Sequence, residues 1–124
     1  MKNEKTGNAP DLGQRTKGFA LRIIRMTASL PASSASRVLG NQILRSGTSV
    51  GANYREANRA RSKAEFIAKI GECLKEIDET CYWLELLGES EIVKSSKLSE
   101  LLDESRQLMA IFITILKTSK ASLR

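Results

Sequence analysis

Apolar residues return every three or four positions through most of this chain, with polar residues between them. Phe19, Ala20, Ile23, Ile24 and Thr27 keep that spacing and predict a first helix from about Gln14 to Ser29. Leu30-Pro31 ends it, because proline disfavours helical geometry in the residue before it. The run ASSAS then offers an N-cap at Ser33 or Ser34. A later periodic segment starts near Ser62, where Ser62 and Glu65 fit a capping box. Its core face carries Phe66, Ile70, Cys73, Ile77, Thr80 and Leu84, and Gly88 reads as the left-handed residue that follows the helix. The last segment runs from Ser95 or Lys97 to Thr118. Leu98, Leu101, Leu108, Phe112, Ile113 and Leu116 help to cover well over half its circumference. A single core face needs a stripe of only roughly 100°. That surplus, with Trp83 and Leu86 turned towards an acidic side, asks for a second partner, expected to be another copy of the chain. The candidate oligomer interface is Trp83, Leu86, Leu87, Ile111 and Ile115.

The segment between, from about Ser34 to Ala60, contains SGTSVGANYREANRAR, which raises the choice between a phosphate-cradling loop and a helix. On a helical wheel that starts at Arg37, Leu39, Ile43, Ser46, Val50, Asn53, Tyr54 and Ala57 fall between about 160° and 260°. Arg37, Arg45, Arg55 and Arg59 fall between about 0° and 80°. The two faces stay opposite each other through Gly47 and Gly51, which a loop would not allow. Each glycine costs about 1 kcal/mol against alanine, and close approach of a neighbouring helix is the expected compensation. A phosphate loop would also need a Gly-Lys-Ser/Thr ending and a preceding strand, and this run has neither. Short loops between four helices predict an all-α, antiparallel up-down-up-down four-helix bundle over 14–120. Residues 1–13 read as a disordered polar tail and 121–124 as a C-terminal tail.

Charge changes the picture more than composition does. The 124 residues carry a net +6, unevenly spread. Residues 1–36 sum to +4, 37–69 to +5, 70–104 to −7 and 105–124 to +4. The opening residues lack the apolar stretch of a signal peptide, and no apolar run approaches the ~20 residues of a membrane span, so a cytoplasmic protein without membrane contact is expected.

Candidate chemistry is sparse. The chain has no histidine, so the commonest general base is missing, and no serine sits in a GxSxG elbow. Cys73 and Cys81 are separated by about 12 Å of helical rise, too far for a mutual disulfide, and read as reduced core residues. Glu72, Glu76 and Glu79 resemble half of a di-metal carboxylate site. The Glu-x-x-His partners such bundles need are absent, so neither metal nor cofactor is expected. These carboxylates read instead as a solvated or salt-bridged face, and Asn53 needs a polar partner if it is buried. The arginine stripe is the strongest functional feature. On a continuous helix, Arg37 to Arg59 would span about 33 Å, and Arg61 and Lys63 extend it beyond the turn. Such a stripe suits phosphate binding, and it equally suits pairing with the acidic face of the next helix. No aromatic residue interleaves the arginines, so base stacking is not supported.

Two runs carry a family resemblance. Thr48 to Ala57, TSVGANYREA, and Glu76 to Leu87, EIDETCYWLELL, resemble the 23S rRNA-intervening sequence proteins. The flanks KGFALRIIRMTASLP and LLDESRQLMAIFITILKTSK fit as well. The resemblance implies a bacterial four-helix bundle that assembles as a ring, typically a homopentamer. A similar bundle is the accessory protein of diversity-generating retroelements, which binds a reverse transcriptase and nucleic acid. No catalytic residue is implied, and the family name records gene location rather than activity. Two function classes follow. One is a non-enzymatic module that binds RNA, DNA or a nucleoprotein partner through Arg37, Arg45, Arg55, Arg59, Arg61 and Lys63. The other is a scaffolding ring whose stripe is consumed in subunit or partner-protein contacts.

Overall fold

Each helix of the protein starts where a side chain can replace missing backbone hydrogen bonds, with one exception. The computed structural model describes residues 11–122, which form α1 (Leu12–Ala28), α2 (Ser34–Ala57), α3 (Lys63–Glu89) and α4 (Ser95–Ala121), with no strand among them. Asp11 caps α1 by accepting from the Gly13 N–H at 3.1 Å, so the helix opens two residues ahead of Gln14. Ser33 caps α2 through the Ser36 N–H, and Ser62 caps α3 through the Glu65 N–H at 3.0 Å. The Glu65 carboxylate reaches back to the Arg61 N–H at 3.2 Å, one residue before the cap. Lys94, before α4, makes no side-chain cap. Of the tails expected over 1–13 and 121–124, residues 1–10 and 123–124 lie outside the described residues, whereas Leu12 and Gly13 belong to α1 and Ala121 ends α4.

Two helix ends differ from expectation. α2 stops at Ala57 rather than Ala60, because the Arg59 and Ala60 N–H groups turn back onto the carbonyls of Glu56 and Ala57. Arg59 therefore sits in the α2–α3 turn, and the helical part of the stripe, Arg37 to Arg55, is about 27 Å long. α3 runs on through Gly88 to Glu89, and the left-handed residue is Glu91, at φ 64°. Leu87 is fully buried, and beyond the turn its carbonyl accepts the Val93 N–H at 3.3 Å.

The glycines of α2 settle the loop-or-helix question in favour of the helix. A Cβ on Gly47 would stand 2.9 Å from Ile23 Cγ1, one on Gly51 3.2 Å from Thr16 Oγ1, and one on Gly40 3.1 Å from Leu30 Cδ1. α1 lies on the side of α2 where methyl groups are missing. Along this seam the α2 partners fall in number as the residues of α1 and the turn after it rise: Thr16 with Gly51, Ile23 with Gly47, then Leu30 beyond the helix with Gly40. The α2–α3 seam descends likewise, from Val50 with Cys73 to Ser46 with Thr80. At its centre the Thr80 hydroxyl lies 2.7 Å from Ser46 Oγ, and Ser46 donates to the Gln42 carbonyl at 2.9 Å, so this buried pair is satisfied. Asn53 meets its polar need inside α2, donating to the Ser49 carbonyl at 3.0 Å.

Phe19, Ile23, Ile43, Val50, Ile77, Leu84, Leu108 and Phe112 anchor a core shared by all four helices. Around it α1 packs on α2, α2 on α3 and α3 on α4, and a short seam between α1 and α4 closes the circle. The α1 and α3 backbones stand at diagonal corners and do not approach each other.

Candidate nucleic-acid interface

α2 presents its arginines opposite the buried stripe of Ile43, Ser46, Val50 and Ala57, as the wheel requires. The structure then divides the six cations. Arg37, Arg55 and Arg59 are exposed, and Arg61 and Lys63 are exposed around the start of α3. Arg45 is not free: its guanidinium binds Glu76 at 3.3 Å and also Glu79, both on α3. Glu79 further accepts the Trp83 indole N–H at 3.0 Å. Of the stripe, Arg45 takes the pairing role that charge alone had left open.

Arg55 and Arg59 meet a cation that the stripe did not include. With Lys17 of α1 they border an open groove of about 680 Å³ along the α1–α2 seam, which also contains Tyr54, Asn58 and Gly51. Two carboxylates reach the same groove, and both are engaged. Asp11 caps α1, and Glu56 binds Lys69 of α3 at 2.5 Å, a bond that raises the lysine's pKa. Among the described residues no acidic side chain pairs with Lys17, Arg55 or Arg59. The groove thus holds three cations against one carboxylate without a cationic partner, Asp11, with hydrogen-bonding side chains between the charges. Its one aromatic residue, Tyr54, is half-buried and tilted against Phe112 with ring centroids 6.2 Å apart. Lys17 could be found in the sequence only by pairing α1 with α2 in register.

The other candidates separate cleanly. Leu87 has no exposed surface and belongs to the chain's own core, so it cannot face a second copy. Its place on the α3 wheel is close to that of Cys73 and Thr80, and both are buried. Trp83, Leu86, Ile111 and Ile115 are half-buried. The large exposed apolar residues lie elsewhere: Leu21 and Ile24 on α1, Val38 and Leu44 on α2, Tyr82 on α3 and Ile113 on α4. Ile24, expected in the α1 core stripe, is among them.

Chemically reactive groups are held back. Cys73 is buried against the Val50 carbonyl, and burial pushes its thiol up to about 12. Burial raises Cys81 as well. Among the described residues no three His, Cys, Asp or Glu side chains gather as a metal site would need, and no helix is long and apolar enough to cross a membrane.

Comparison with known proteins fits this architecture. A crystal structure of a protein of unknown function from the S23 ribosomal protein family of Bacteroides thetaiotaomicron superposes with a TM-score of 0.81 at 39% identity, covering 86% of this chain and 99% of that one. No curated protein matches. The model of one family matches residues 11–114, and with the four-helix fold it shows that the chain belongs to the 23S rRNA-intervening sequence proteins.

Proposed function

We propose that this protein is a non-enzymatic, cytoplasmic, self-associating bundle that binds nucleic-acid phosphates at the α1–α2 groove. The carrying observation is the convergence of Lys17, Arg55 and Arg59 on one groove, where Glu56 is paired with Lys69 and Asp11 caps α1. Arginine forks and a lysine point charge suit phosphate oxygens, and such contacts carry no sequence information. The single half-buried aromatic residue supports backbone binding over base reading. The descending residue pairs along the seams support the antiparallel up-down-up-down arrangement. Apolar residues exposed on all four helices support assembly, for which we favour a ring of five copies.

Filter binding of an unstructured RNA at two salt concentrations tests the groove. Affinity should fall steeply with salt, and Arg55→Glu with Arg59→Glu should weaken binding to unrelated RNAs alike. Unaltered or undetectable RNA binding by intact assemblies would defeat the reading. A second reading, the scaffolding ring, is favoured by the large apolar residues exposed on the same helix as the stripe, Val38 and Leu44. It expects the same reversal to break the assembly.

A further inference from the structure

The helices α1 and α3 carry opposite charge. α1 contains four basic residues, Arg15, Lys17, Arg22 and Arg25, and no acidic one. α3 contains seven acidic residues against three basic. Being diagonal in the bundle, the two helices cannot neutralise each other within one chain.

Each also carries a second stripe at helical spacing that points away from its core. On α1, Leu21 and Ile24 are exposed between Lys17 and Arg25. On α3, Tyr82 is exposed between Asp78 and Glu89, with half-buried Leu86 beside it and exposed Lys75 on the same face. Tyr82 packs edge-on to Trp83 at 5.1 Å between ring centroids, and the Trp83 indole is anchored on Glu79, so this surface is pre-organised. Lone apolar residues at a surface need no explanation. Apolar residues on a net basic helix at one corner, and on a net acidic helix at the opposite corner, form complementary patches.

We propose that copies of this chain assemble head to tail, with the outer stripe of α1 in one copy seated on the outer stripe of α3 in the next. This rests on the self-association proposed above and names its surfaces; in the assembly Lys17 belongs to this contact, and Arg55 and Arg59 carry the groove's charge towards phosphate. The contact is heterologous, so it generates a ring or an open filament rather than a two-fold dimer. Ile23 opposite Gly47 brings exposed Leu44 of α2 alongside Ile24, and Ser46 opposite Thr80 brings exposed Val38 of α2 level with Leu86. Both thus extend the apolar part of the patches on the α2 side, while Asp78 and Tyr82 border Glu85 on the α4 side.

The test is a charge swap followed by light scattering after size exclusion, with circular dichroism to confirm folding. Lys17→Glu with Arg25→Glu makes both stripes acidic. Asp78→Arg with Glu89→Arg makes both basic. Each pair should reduce the assembly to monomers at a protein concentration where the parent chain remains assembled. The four substitutions together should restore assembly, which misfolding could not do. A two-site variant that keeps the parent mass would overturn the surfaces while leaving self-association standing. A folded four-site variant that stays monomeric would also overturn them. A monomeric parent chain would overturn self-association itself.

Discussion

Alanine at Gly47 puts the close approach of α1 and α2 to a quantitative test. The new Cβ would lie 2.9, 3.0 and 3.3 Å from Cγ1, Cγ2 and Cβ of Ile23. Carbon pairs are comfortable at about 3.5–4.0 Å, so the contact must open by roughly half an ångström or more. Ile23 cannot swing aside. It is fully buried, and a β-branched residue in a helix has one strongly preferred rotamer. Overpacking of this kind costs about 1–3 kcal/mol, against which alanine recovers up to about 1 kcal/mol of helix propensity. The net loss should be about 1–2 kcal/mol, or a fall in Tm on the order of 4–8 °C. Gly18 and Gly71 are internal controls, because a Cβ at either meets no atom within 4 Å. Alanine there should stabilise by up to about 1 kcal/mol. Urea and thermal melts followed by circular dichroism decide, at one protein concentration because association shifts the midpoint. A Gly47→Ala protein as stable as the parent, or more so, would refute the tight seam.

Leu87→Ala should cost about 2–5 kcal/mol, since it empties a fully buried site; a loss under about 1 kcal/mol in urea would return Leu87 to the surface. Arg45→Ala should cost no more than about 1 kcal/mol in the same melts, because the side chain is 49% exposed and its ion pairs are screened. Neither thiol should react with a disulfide reagent at pH 8 without denaturant, and prompt labelling of the folded protein would contradict the burial of Cys73 and Cys81. With the Cys73 pKa raised in the fold, the unfolded chain ionises first as pH rises. Its contribution to stability is full below pH 9.0 and is lost towards about 12, which urea melts across that range would detect.

The helices were legible because hydrophobic phase survives small residues: it ran unbroken through Gly47 and Gly51, and these proved to be the docking side for α1. What a wheel could not show was which apolar residues a neighbour would cover. Ile24 and Ile23 look alike in sequence, yet one is exposed and the other buried, because the core accepts a narrower arc than the apolar residues span. Leu87 was misplaced for the opposite reason, as its position near the acidic edge of α3 still falls within the buried arc. Gly88 is the obvious helix stop by residue type, but the chain turns left-handed at Glu91, whose N–H still bonds the Gly88 carbonyl and where composition gives no cue. Two of the three cations of the groove, Arg55 and Arg59, were readable as part of a stripe. Lys17 became part of it only when α1 was laid beside α2.

The short α1–α4 seam has a consequence for how the molecule comes apart. Arg15 holds it, binding Glu104 through two nitrogens at 2.7 and 3.0 Å and Gln107 at 3.0 Å. The other long edge of α1 rests on the glycine side of α2. A helix held strongly on one edge and lightly on the other opens as a local unit, at lower free energy than global unfolding. Exchange of α1 amides with deuterium should therefore outpace that of α3, and Arg15→Ala should widen the gap. In each such opening, Phe19 and Ile23 leave the core together, and α2, α3 and α4 are left as a three-helix remnant with one apolar face uncovered.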